Sequence, residues 1–227
     1  MVGRPTLGRE RQLLAAGARV VVGVDEVGRG ALAGPVAVGA VAVTAATVIR
    51  APVGIRDSKD LSPVARGRLA GLIRTWCAAG SVGMASAAEI DAWGLTVALR
   101  CAALRALSGL EGLPGIDVVL LDGTHDYLGS DPAIPGMPDA LDTVGGLVLG
   151  RIETEAKADA KRTSVAAASI LAKTARDSLM VQLAVEESRY GWERNKGYAA
   201  PEHRAALRRW GPTAEHRVSW RLPIDSH

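Results

Sequence analysis

The run GVDEVGRGALAGP, Gly23 to Pro35, sets two adjacent carboxylates, Asp25 and Glu26, at the end of an apolar stretch. Gly28, Arg29, Gly30 and Gly34 follow them. A second apolar stretch, IDVVLLDG, ends on Asp122, and a further candidate acid, Asp159, stands in EAKADAKRTS among Lys157, Lys161 and Arg162. A lone Asp in such a place commonly caps a turn. Adjacent acids gain nothing as caps and repel each other. If the two strands are neighbours, their carboxylates meet without an obvious basic partner, and burial sharpens the conflict. A divalent cation removes it, and oxygen ligands suit Mg2+ or Mn2+ rather than zinc. The glycines allow the backbone to come close to a ligand, with Arg29 in the same turn. Gly28, Gly30 and Gly34 also approximate a dinucleotide fingerprint. That reading fails on two counts: carboxylates precede the turn, and Pro35 leads into a strand rather than a helix.

The elements that must hold these groups are legible in the pattern of apolar residues. ARVVVGVD reads as a strand apolar on both faces and ending at Asp25, PVAVGAVAV (Pro35–Val43) as a second, and GSVGMAS (Gly80–Ser86) as a short third. IDVVLLDG is a fourth and GGLVLGRIE a fifth, with a Pro-, Gly- and Asp-rich loop from Gly123 to Gly136 between them. Ser62 and Pro63 mark one helix start. Ser86 and Glu89 form a capping box that opens a helix running to about Leu107. The stretch TSVAAASILAKTARDSLMVQLAVEE predicts a long helix. Its steps of three and four put Ala168, Leu171, Ala175, Leu179 and Leu183 on a buried face and Ser169, Lys173, Arg176 and Asp177 on a polar stripe. PEHRAALRRWG is a last helix stopped by Gly211. Strands interspersed with helices indicate an α/β layered domain, in which active sites gather beyond strand ends.

The chain has 227 residues, 48% of them hydrophobic, with no Phe and a net charge of +3. With no linker, repeat or low-complexity tract, one domain over residues 1–227 is the expectation. Cys77 and Cys101 form no C-x-x-C, which fits a reducing cytoplasm without structural zinc. The twenty uncharged residues from Gly30 to Ile49 are long enough to span a bilayer. Their Ala, Gly, Val and Thr content, with Pro35 near the start, favours a buried strand. From Ser188 to His227 there are eight Lys or Arg against four Asp or Glu, with three of the four His and three of the five Trp. Such a basic segment interleaved with aromatics suits a polyanion with flat bases, though a solvated helix whose Trp residues dock on the core gives the same composition.

Five segments then fall in an order that resembles the type 2 ribonucleases H, specifically bacterial ribonuclease HII. GVDEVGRGALAGP is similar to the family's DE-x-GRG signature, RDSKDLS to its DSK-x-LS segment and VLLDG to its third-acid strand. KADAKRTSVAAASILAKTARD is similar to its fourth-acid loop and following helix, and NKGYAAPEH to its H-K-G-Y segment. The resemblance implies a ribonuclease H-like fold with a five-stranded mixed sheet flanked by helices. It also implies hydrolysis of RNA in RNA/DNA hybrids and incision at single ribonucleotides embedded in duplex DNA. Carried over by motif, the metal ligands are Asp25, Glu26, Asp122 and Asp159, with Glu153 and Glu155 as substitutes for the last. Gly28, Arg29 and Gly30 would contact the ribonucleotide and its 2′-hydroxyl, and Tyr198 would sense the sugar. Lys59, Lys173 and Lys196 would meet phosphates. Asn195 stands where the family usually has His, and the stretch from Asp122 to Asp159 is longer than in common bacterial members.

The chemistry implied is a pair of divalent ions, Mg2+ or Mn2+, about 4 Å apart on the scissile phosphate, giving 5′-phosphate and 3′-hydroxyl products. His125, three residues past Asp122, could reach the site but reads as a surface loop residue. No membrane attachment, no recruitment peptide for a replication clamp after HRVSWRLPID and a monomeric state are expected. Two other classes remain: another two-metal nuclease of the same fold acting on DNA, and a hybrid-binding module without catalysis.

Overall fold

The computed structural model describes residues 4–129 and 149–224. Five strands form one sheet in the order β3-β2-β1-β4-β5. They are β1 (Val21–Val27), β2 (Val36–Val43), β3 (Ala79–Ala85), β4 (Ile116–Asp122) and β5 (Leu149–Glu155). β2 runs antiparallel to both β1 and β3, while β1, β4 and β5 are mutually parallel. The loop expected from Gly123 to Gly136 is described only to Gly129. The expected start of the fifth strand, residues 145–148, lies outside the described residues.

Both faces of the sheet are covered, which is why β1 and β2 carry apolar residues without alternation. Val22, Val24, Val36 and Val38 pack toward helix α3 (Ala87–Ser108). Val21, Val41 and Val43 face the opposite layer. That layer holds α1 (Gly8–Ala15), α2 (Pro63–Trp76) and α4 (Thr163–Glu186). The sequence pattern marks no element at α1, whose mixed composition gives little periodic signal. α4 lies directly on the two central strands: a Cβ at Gly23 would overlap the backbone of Ser164 and Val165, and one at Gly39 the backbone of Ala168. Glycine inside these strands therefore sets how closely the helix can sit. The uncharged run from Gly30 to Ile49 contains β2. Among the described residues no helix is long and apolar enough to cross a membrane.

Two expectations are corrected. β1 does not end at Asp25 but runs to Val27, because β2 continues to pair with it through Val27↔Ala37. Its other neighbour, β4, pairs only as far as Val24↔Leu121, so Asp25 lies just beyond the last shared rung. α4 is not amphipathic in the expected sense. Its first three turns are buried all round, and of the polar stripe Ser169, Arg176 and Asp177 are themselves buried. Ala175, Leu179 and Leu183 are only half-buried. The chain that follows α4 folds back over its polar side through α5 (Trp192–Asn195) and α6 (Pro201–Trp210). Arg176 there donates to the carbonyls of Pro35 at 2.7 Å, Ala33 at 3.1 Å and Lys196 at 2.9 Å. The predicted helix from Ser86 is present with its capping box, but Gly94 at φ 78° breaks it into two pieces.

Candidate active site

Parallel pairing of β1 and β4 brings their C-terminal ends to the same end of the sheet, and with them Asp25, Glu26 and Asp122. A cleft of about 490 Å³ opens there, with these three acids, Gly28, Arg29, Gly30, Lys59, Lys173 and Tyr198 among its lining residues. Nine of the eleven residues singled out for chemistry thus meet in one place.

Asp25 is 5% exposed. Its Oδ1 accepts from the Glu26 amide at 2.8 Å. Burial pushes its carboxyl well above the usual range, a hydrogen bond from Ser169 opposes this, and Glu26, Asp122 and Asp159 add to the rise. The Ser169 and Ser58 hydroxyls lie 2.9 Å apart, so the turn Ser58–Asp60 backs this contact. Glu26 is held by Arg29 Nη1 at 2.8 Å and by the Tyr127 hydroxyl at 3.2 Å. Asp122 Oδ1 accepts from the Ala158 amide at 2.6 Å, which ties β4 to the short turn Ala158–Ala160.

Asp159 sits in that turn, 6% exposed. Burial raises its pKa, as do Asp122 and Asp57, while Lys59 lowers it. Asp159 is therefore within the field of the other acids, although it does not line the cleft itself. The two substitutes are engaged elsewhere: Glu153 pairs with Arg9 at 2.8 Å and with Arg151 at 2.6 Å. Glu155 pairs with Arg162 at 2.7 Å and with Lys161 at 3.1 Å.

The expectation that the acids lack a basic partner is corrected by Arg29, which pairs with Glu26, and by Lys59, which lies within the field of the cluster. Burial opposes its charge, but Asp57, Asp159, Asp25 and Asp122 raise its pKa overall. Lys173 pairs with Asp177 at 2.6 Å, and Asp177 also receives Arg66 at 2.9 Å. Burial lowers the pKa of Lys173 despite that pair. The Tyr198 ring stands beside both Lys173 and Arg176, whose charged atoms are 5.9 and 5.5 Å from its centroid. Lys196 does not join them. Its Nζ donates to the Glu193 carbonyl, and it lines a separate groove with Arg66 and Thr174. His125 is exposed, as a surface loop residue would be.

Gly28 and Gly30 differ in what glycine does for them. Gly28 has φ 88°, and a Cβ there would overlap the Arg176 side chain. Gly30 is exposed, and nothing lies within 4 Å of where a Cβ would stand, so packing does not require glycine.

Asn195 bridges the loop between α5 and α6. Its Nδ2 donates to the Tyr190 carbonyl at 2.7 Å, and its Oδ1 accepts from the Gly197 amide at 2.9 Å. Behind Tyr198 lies a buried pair of imidazoles. The Thr213 amide donates to His216 Nδ1 at 2.9 Å, which leaves the proton of His216 on Nε2. That proton is donated to His203 Nε2 at 3.0 Å, and His203 Nδ1 donates to the Tyr198 carbonyl at 2.9 Å.

Sequence reasoning missed Tyr127 and Ser58, and gave no sign of Arg217, which is buried against the carbonyls of Gly28, Arg29 and Gly34. Tyr127 gives only the weak signal of an aromatic five residues after an acid. Ser58 lies inside the DSK segment, beside a lysine with the more obvious chemistry. Arg217 gives none, because nothing local to a tail arginine shows that it is buried.

The donor set fits a hard divalent cation in kind: carboxylate oxygens, mutually repelling, partly withdrawn from water. Among the described residues, however, no three His, Cys, Asp or Glu side chains are drawn together into a formed metal cluster.

Comparison with known proteins gives a consistent answer. The family described as Ribonuclease HII matches residues 22–222. Ribonuclease HII of Streptomyces coelicolor is 46% identical over 217 residues, covering 95% of this chain and 83% of that protein. The solved PCNA:RNase HII complex from Archaeoglobus fulgidus aligns at TM-score 0.67 and 28% identity, over 91% of this chain and 98% of that one. Bst-RNase HIII in complex with Mn2+ aligns at TM-score 0.67 and 22% identity, over 97% of this chain and 72% of that one, and shares the fold. The five-stranded mixed sheet is that of the ribonuclease H-like fold, and the chain belongs to the ribonuclease HII family of nucleases.

Proposed function

We propose that this chain hydrolyses the RNA strand of RNA/DNA hybrids and incises duplex DNA at single embedded ribonucleotides, leaving 5′-phosphate and 3′-hydroxyl ends. The observation that carries the reading is one cleft shared by an acid cluster, a glycine turn and a tyrosine. Asp25, Glu26, Asp122 and Asp159 would hold the divalent ions, Mg2+ or Mn2+. Two such ions would supply an activated water and charge stabilisation at the scissile phosphate. The protein's own part is placement. Ser169 orients Asp25, Arg29 and Tyr127 orient Glu26, and the Ala158 amide orients Asp122. Lys59 and Lys173 stand where phosphates would enter. Lys196, turned into the adjoining groove, serves only a strand that extends that far.

Gly28, Arg29, Gly30 and Tyr198 would distinguish ribose from deoxyribose, which needs a partner for the 2′-hydroxyl. The basic segment 188–227 would lie along the duplex as part of a single domain. The free thiols of Cys77 and Cys101 suit a reducing cytoplasm. We place the enzyme there as a monomer. The deciding experiment is cleavage, in Mg2+ and in Mn2+, of a DNA duplex carrying one ribonucleotide, beside an RNA/DNA hybrid and an all-DNA duplex. Cutting of the all-DNA duplex would transfer the chain to the DNA nucleases of this fold. Binding without cutting of any would make it a hybrid-binding module.

A further inference from the structure

Arg217 is fully buried, and among the described residues no carboxylate forms an ion pair with it. Burial, with Arg176 nearby, lowers its pKa to about 10. Every one of its guanidinium nitrogens is committed to the glycine turn. Nη2 donates to the Gly28 carbonyl at 2.7 Å and to Gly34 at 3.1 Å. Nη1 donates to the Arg29 carbonyl at 2.9 Å and Nε to Gly34 at 3.2 Å. Its backbone is fixed as well: its amide donates to the Leu32 carbonyl at 3.0 Å. The next two amides, of Val218 and Ser219, donate to Asp91 at 2.9 and 3.0 Å.

The peptide groups involved are trans, so each N–H points opposite to the C=O of the same peptide plane. The carbonyls of Gly28 and Arg29 point inward to Arg217. The amides sharing those planes, of Arg29 and Gly30, therefore point the other way. Gly28, Arg29 and Gly30 line the cleft on that side. Two successive donors thus face a space bordered by the acids and Tyr198. An oxygen accepts from them, whereas the hydrogen at C2′ of deoxyribose offers nothing.

We propose that Arg217 is the positioning residue of sugar discrimination: by gripping the inner carbonyls of the turn it fixes the Arg29 and Gly30 amides toward the 2′-oxygen of a ribonucleotide. The assignment rests on the reading of ribonucleotide-containing duplexes as substrate. A guanidinium is required because one planar group must satisfy three carbonyls at once, and a lysine ammonium on a single stem cannot span them.

The first test is steady-state cleavage by Arg217→Lys. Its kcat/KM on a duplex with one ribonucleotide should fall about 10- to 100-fold, because a site built to bond a hydroxyl loses most when that bond is misplaced. Its Kd for an all-DNA duplex of the same sequence should stay within about twofold, since phosphate contacts are untouched. Equal losses in both would reduce Arg217 to a structural residue and overturn the proposal.

The second test uses the wild-type chain and survives any folding failure of the variant. Amide NMR signals of Arg29 and Gly30 are followed on adding each duplex in Ca2+, in place of Mg2+ or Mn2+. They should move with the ribonucleotide duplex and much less with all-DNA. The same response to both duplexes, or none to either, would overturn the proposal. Absence of cleavage by the wild-type protein would instead refute the functional reading, and the amide signals would still judge the turn.

Discussion

Asp25 is the residue on which most converges: it is buried, bonded to Ser169 and crowded by three carboxylates. Asp25→Asn should lower cleavage by more than about 100-fold, the upper range for residues that merely orient metal ligands. Duplex affinity should be retained, and metal-free stability should hold or rise because a source of repulsion is gone. Near wild-type turnover, or a large drop in melting temperature, would show a structural aspartate instead. The two glycines give a sharper contrast. Gly28→Ala meets both a positive φ and the Arg176 side chain, and should cost more than about 1 kcal/mol. Gly30→Ala has open space, and its stability should stay level or rise by up to about 1 kcal/mol. Cleavage at a lone ribonucleotide should fall all the same, so denaturant melts and rates on the two variants separate folding from function. Tyr198→Ala should slow that cleavage by no more than about 1–3 kcal/mol, the range for loss of an aromatic contact, with all-DNA affinity little changed. Asp25 and Glu26 stood out because adjacent acids gain nothing as caps, whereas Asp122 and Asp159, taken singly, read equally as turn residues, and Asp159 does lie in a short turn rather than at a strand end. Lys59 was legible only as a motif position, since its closeness to the acids depends on how the turn Ser58–Asp60 folds onto α4.

Among elements, strands and caps were read well because their signals are local. Ser86 and Glu89 form the expected box, with bonds of 3.2 and 2.8 Å. Ser86→Ala should destabilise the protein by about 1 kcal/mol in chemical denaturation without altering the chemistry. α4 was misread because helical periodicity reports polarity, not what lies opposite. Arg176 and Asp177 look like a solvent stripe until the returning chain and Arg66 cover them. The Gly94 break in α3 was also illegible, since one glycine within a strong apolar pattern does not announce a positive φ.

At the scale of the whole molecule, the sheet order and the closure of the tail over α4 depend on contacts between distant segments. The paired imidazoles behind Tyr198 make that closure sensitive to acid. Burial lowers the pKa of His203, and burial with His203 nearby takes His216 from 6.5 to about 4. An unfolded chain accepts these protons more readily than the folded one. Their contribution is therefore complete above pH 6.5 and is lost as pH falls toward 4. Melting temperature should decline across that interval, and His216→Gln should be less stable at neutral pH but flatter below it. An equal slope in both proteins would place the acid sensitivity elsewhere.

The grip of Arg217 on Arg29 joins residues 188 positions apart. A ribosome adding about 5–20 residues per second takes roughly ten to forty seconds to cover that distance. Throughout that time the nascent chain already carries Asp25, Glu26 and, later, Asp122 and Asp159, but not the arginine assigned here to its sugar-reading turn. The turn is then fixed only late in synthesis, and a product released just before residue 217 would carry the acids, the glycine turn and Tyr198 without the arginine proposed to hold that turn in place.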